Sequence, residues 1–160
     1  MPIFPAAKAM QKKIHVRVYS LKGVEEAVRA GADIIYYDAF AQDLDGAMKI
    51  AGKKLYLHTP MAMVDRDLER LKSIIIKTKP AGILANNVGV LGMGLTIPIV
   101  LGYQMNIFND NQLQSYDYPA VASIELNLKE LQAFQNKEKI IFYAHGYPAV
   151  MTFKEEFDAN

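Results

Sequence analysis

The sequence predicts an α/β fold, a TIM-like (β/α) barrel left incomplete with seven readable parallel strands. Three observations predict it. Short apolar runs recur along the chain, helical patterns or turn signals separate most of them, and each run finishes in a side chain able to hydrogen-bond or ionise. The first two are the alternation expected of parallel βαβ units. The third is what a barrel shows at the carboxyl ends of its strands, the face on which this architecture builds its sites. At 160 residues and 51% hydrophobic, the chain has the length of one domain and can bury a core without staples.

The lead-in MPIFPAAKAMQKK, residues 1–13, combines Pro2 and Pro5 with Lys8, Lys12 and Lys13, and reads as a strap or linker remnant. The barrel domain is expected over residues 14–160. Its first strand is IHVRVYS, residues 14–20. KGVEEAVRAG then sets Val24, Ala27, Val28 and Ala30 on one helical face, and Gly31 supplies the residue without a β-carbon that closes helices. ADIIYYDAF is the second strand. DLDGAMKIAG is a short helix ending near Gly52, and KKLYLHTP is the third strand, stopped by Pro60. In VDRDLERLKSIIIKTK the apolar positions Val64, Leu68, Leu71 and Ile75 make a helical stripe, while the charges between them read as a solvated face.

The second half repeats the scheme with shorter helices. AGILANN, IPIVLGYQMN, YPAVASIELN and KIIFYAHG are strands four to seven. Asn127 with Glu130 three residues on has the spacing of a capping box at the start of LKELQAFQN. Seven strands are one short of a closed barrel, and FKEEFDAN is too short for another helix and strand. The barrel is therefore expected to be open, covering its edges by homo-oligomer formation or against a missing domain, in which second case the chain is a piece of something longer.

The strand ends supply the candidate site. Ser20 follows strand one, Asp38 strand two, His58 and Thr59 strand three, Asn86 and Asn87 strand four, Gln104 and Asn106 strand five, Glu125 strand six and His145 strand seven. His145, Glu125 and His58 are the candidate catalytic groups, because imidazole and carboxylate are the usual carriers of a proton near neutral pH. Asp38, Asn87, Gln104 and Tyr147 are the candidate substrate-binding groups. Two histidines and a carboxylate leave a divalent metal open, zinc or iron by ligand type, but no HExxH or comparable spacing assigns a ligand. Each residue also has a plain structural reading as a cap, a turn former or a satisfied core group.

Composition narrows the chemistry. With no cysteine, the chain holds no disulfide, no thiolate nucleophile and no cysteine-ligated iron–sulfur cluster. Eighteen basic against seventeen acidic residues give a net charge of +1, so nucleic acid is not indicated and no field draws the chain to a membrane. No run approaches the roughly 18 apolar residues of a membrane span, and the lead-in lacks a signal-peptide core, which makes a cytoplasmic location the expectation. Gly89, Gly92 and Gly94 form neither GxGxxG nor a Walker loop, and there is no GxSxG elbow.

The run VRVYSLKGVEEAVRAGADIIYYDAF resembles the opening strand–helix–strand of the peptidase U32 family, the collagenase-like proteases. The likeness continues through AGILANNVGVL, IPIVLGYQMNIFN, ASIELNLKEL and IIFYAHGYPAVMTF, so that it spans nearly all of residues 14–153. Its most characteristic piece is His145-Gly146 leading into Tyr147-Pro148-Ala149-Val150-Met151. The resemblance implies a hydrolase acting on peptide or another small polar substrate. The family's signature runs on into cysteines, where this chain has Thr152-Phe153-Lys154-Glu155-Glu156-Phe157. Some members hydroxylate RNA or quinone precursors with a cysteine-bound cluster whose ligands are absent here. A non-catalytic binding or accessory domain is the alternative.

Overall fold

The computed structural model describes residues 12–149. Seven strands form one parallel sheet in chain order: β1 (His15–Arg17), β2 (Ile34–Asp38), β3 (Leu55–His58), β4 (Gly82–Ala85), β5 (Ile99–Leu101), β6 (Ala120–Val121) and β7 (Ile140–Ile141). Between them run α1 (Leu21–Arg29), α2 (Leu44–Ala51), α3 (Asp65–Thr78), α4 (Asp110–Tyr116) and α5 (Leu128–Ala133). The sheet is a curled half-barrel, the incomplete TIM-like fold that the alternation predicts. Among the described residues, β1 pairs only with β2 and β7 only with β6. The lead-in expectation falls mainly on residues 1–11, and the tail on 150–160, both outside the described residues; Lys12 and Lys13 are exposed.

The period of two along each strand divides the sheet into two faces. Val16, Ile35, Tyr37, Leu55, Leu57, Ile83, Ala85, Ile99, Leu101, Ala120 and Ile140 join the main core with Val24, Leu71, Ile75 and Leu113 from the helices. The alternate residues Tyr36, Leu84, Val100 and Val121 make a second, smaller cluster with Tyr103, and Ile34, Tyr56 and Ile141 pack against it. The same alternation sets His15, Arg17 and Tyr19 on the second face. His15 Nδ1 lies 2.7 Å from the Tyr36 hydroxyl, and the Tyr36 and Tyr56 rings meet edge to face at 6.0 Å.

Helix ends follow their local chemistry. Ser20 caps α1 by accepting from the Gly23 N–H. The other end is a Schellman motif, in which Gly31 N–H reaches Val28 O and Ala32 N–H reaches Ala27 O. Gly31 makes this turn at φ +84, where a side chain is strained. Asn127 accepts from the Lys129 and Glu130 N–H groups while Glu130 accepts from the Asn127 N–H at 2.8 Å, the reciprocal box its spacing predicts. No described helix is long and apolar enough to cross a membrane.

Candidate functional site

The strand ends on the second face surround a cavity of about 220 Å³ lined by Arg17, Tyr19, Asp38, His58, Pro60, Met61, Gln104 and Ala149. Residues from the first strand and from beyond the seventh thus meet at one opening. The segment after β7 is held there by Tyr103, whose hydroxyl accepts from the Ala149 N–H at 2.9 Å and whose ring stands edge to face with Tyr143 at 5.9 Å.

His58 is 8% exposed and closes the cavity from the β3 side. Asn86, the first residue past β4, lies against it. The Asn86 Nδ2 donates to Thr59 O at 2.7 Å, which fixes the orientation of the carboxamide, and the same nitrogen lies 3.1 Å from His58 Nε2. An amide nitrogen only donates, so Nε2 accepts and the ring proton is assigned to Nδ1. Burial, helped by the Arg17 charge, pushes the His58 pKa down to about 3. At neutral pH this imidazole is an uncharged hydrogen-bonding group and a very weak base.

The approach of Asn86 is possible because residue 102 is glycine. A β-carbon on Gly102 would overlap Asn86 Oδ1. That oxygen is buried and has no hydrogen-bond partner, and Gln104 Oε1 is in the same condition. Gln104 lines the cavity and Asn86 does not, and each of these buried amide oxygens is costly to leave without a donor.

The charged groups are equally unspent. Arg17 lies with its guanidinium carbon 4.8 Å from the centre of the Tyr19 ring. The described ion pairs are Lys22–Glu26, Lys77–Asp45 and Lys139–Asp117, so Arg17 has no carboxylate within 4.0 Å among the described residues. Asp38 gives one oxygen to the Phe40 N–H at 2.9 Å, an Asx turn, and no described hydrogen bond uses the other.

Of the sequence-predicted site residues, the structure brings Asp38, His58 and Gln104 together and leaves four outside the lining. Asn87 caps the 3₁₀ turn at Val88–Met93 by accepting from the Gly89 N–H, and its Nδ2 donates to Met61 O at 2.7 Å, so it holds the loop that carries Met61. Glu125 is exposed on the turn after β6, its N–H directed to Ser123 Oγ. His145 is exposed beside Gly146, and Tyr147 is 96% exposed. Among the described residues no three His, Asp or Glu side chains come together as a metal-ligand set, so His58, His145 and Glu125 do not converge on one ion. Arg17, Tyr19 and Met61 are the lining residues that the strand-end rule misses. The alternation of IHVRVYS carries the signal for the first two, since turning Val16 and Val18 to the helices turns Arg17 and Tyr19 to the cavity.

Comparison with protein families, with curated proteins and with solved structures finds no match to this chain.

Proposed function

We propose that this half-barrel is a recognition domain that binds a peptide end or another small polar ligand at the carboxyl ends of its strands and does not cleave it. The carrying observation is the cavity lining, where a cation and a carboxylate that do not pair with each other meet a neutral imidazole and a carboxamide side chain. Such a set lacks partners, and a ligand supplies them. At about 220 Å³ the cavity is smaller than the roughly 300–1,000 Å³ typical of drug-sized ligands, which suits a small molecule or one end of a longer one. No hydroxyl in the lining faces a basic imidazole, and His58 is too weak a base to activate one.

The U32 resemblance supports a second reading on the same residues. Asp38 is the one carboxylate of the lining, and its second oxygen is the group available to take a proton from an attacking water. Calorimetric titration with short peptides, run beside a cleavage assay on gelatin and the same peptides, separates the two. The binding domain predicts heat of binding that Arg17→Met weakens and no product. Turnover that disappears in Asp38→Asn would establish the hydrolase instead, and the absence of binding by peptides and by small polar molecules alike would overturn the recognition role.

Association of copies belongs to the same proposal. The edges of β1 and β7 present backbone groups without strand partners among the described residues, a feature that proteins cover with a further segment or a second chain. A homodimer in the cytoplasm is the form we propose.

A further inference from the structure

Two charges of opposite sign line one small cavity and do not pair. Arg17 stands opposite Tyr36 across the β1–β2 ladder, and Asp38 lies two residues further along β2 on the same face. Each is held by something else, Arg17 by the Tyr19 ring and Asp38 by the Phe40 N–H. A ligand with charge of one sign would satisfy one of them and strand the other as water leaves, and a neutral ligand would strand both. The complement of this lining is a molecule carrying both charges a short distance apart. The Gln104 side chain lines the same cavity and adds a polar group beside the two charges.

We propose that the cavity recognises a free α-amino acid with a short side chain, Arg17 binding its carboxylate while Asp38 receives its ammonium. The proposal rests on the recognition role above and names its ligand class. Arg17 suits the carboxylate because its planar fork meets two oxygens at once. Pro60, Met61 and Ala149 supply the apolar wall for a short aliphatic side chain. A peptide suits the site less well. Each added residue moves the two termini apart by as much as roughly 3.5 Å, so a ligand that offers both termini to one lining of about 220 Å³ must be short. A second surface depression, between Phe40 and Lys77, offers no such pair of free charges, since its one carboxylate, Asp45, is already paired with Lys77 at 2.8 Å.

The test is calorimetric titration of the whole chain with glycine, L-alanine and L-serine, and with L-alaninamide, N-acetyl-L-alanine and L-alanyl-L-alanine. At least one free amino acid is expected to bind, with amidation and N-acetylation each weakening alanine by about tenfold or more. Arg17→Met should erase the preference for alanine over alaninamide and keep that over N-acetylalanine; Asp38→Asn should do the reverse. This crossed pattern is one that a merely destabilised variant does not produce. Equal binding of the capped forms, or tighter binding of the dipeptide, would overturn the amino-acid ligand while leaving the recognition role standing. Failure of every compound, peptides included, would overturn both.

Discussion

Replacing Gly102 with alanine tests the packing on which the cavity depends. The backbone there has φ −76 and ψ 164, which alanine adopts without strain, so the whole cost arises from contact. The new methyl would displace the Asn86 carboxamide, breaking its hydrogen bond to Thr59 O and its contact with His58 Nε2. Two buried hydrogen bonds are worth about 1 kcal/mol each, and overpacking adds about 1–3 kcal/mol. The expected loss is about 4 kcal/mol, seen in urea unfolding as a midpoint about 2 M lower if m is about 2 kcal/mol/M. Asn86→Ala alone should cost about 2 kcal/mol by leaving Thr59 O and His58 Nε2 without their donor. In the double variant the methyl has nothing to strike, so its loss should stay near that of Asn86→Ala, an interaction energy of about 4 kcal/mol. Costs that add to within about 0.5 kcal/mol would refute the account of Gly102, and with it the reason given for how His58 is held.

Buried neutral, His58 makes stability fall with acid. Its folded pKa of about 3 lies below the unfolded value of 6.5, so the unfolded chain binds more protons between these limits. Stability should be full above pH 6.5 and decline toward pH 3, by up to about 1.4 kcal/mol for each pH unit; the slope should flatten in His58→Gln, leaving the smaller contribution of His15, which burial also lowers. Leu57, fully buried on the helix side of β3, should cost about 2–5 kcal/mol when cut to alanine, measured by the same unfolding experiment. Light scattering at micromolar concentration should return a mass near twice the 17.9 kDa of the chain, and the monomer mass would remove the argument from open edges.

The fold was legible because the alternation of apolar runs and helical stripes depends on local sequence. Strand ends were less so, because the length of a ladder is set by the neighbour and not by the run. The stretch YPAVASIELN forms a strand only at Ala120–Val121, followed by a single bridge from Ala122 to Ile107, and the Ser123 hydroxyl then turns the chain. KIIFYAHG pairs only at Ile140–Ile141 against that short strand. Glu125 and His145, read as strand ends, consequently lie four residues past the ends of β6 and β7, whereas Asp38 and His58 end ladders of full length. Helix α4 gives no periodic stripe, since Leu113 is its one buried residue, and it starts on the Asn109 cap. Arg17 lies in the middle of the run IHVRVYS, so a rule that takes only the end of each run passes over it. In a curled sheet the inner face also accepts charge near its open end.

Strand order identical to chain order also shapes how the molecule opens. Every strand pairs with its sequence neighbours, so the sheet can unzip from either edge without disturbing its middle. The ladders set the gradient: four residue pairs join β2 to β3, while one joins β5 to β6. Amide exchange should therefore be slowest in β2–β4 and quicken toward β7 as separate openings of lower free energy. The cavity straddles that gradient, with Asp38 and His58 on the firm strands and Gln104 and Ala149 on the loose side. A ligand held between these walls fastens one to the other, and it should slow exchange in β5–β7 far more than in β2–β4, drawing the fraying end of the sheet into the same cooperative unit as its centre.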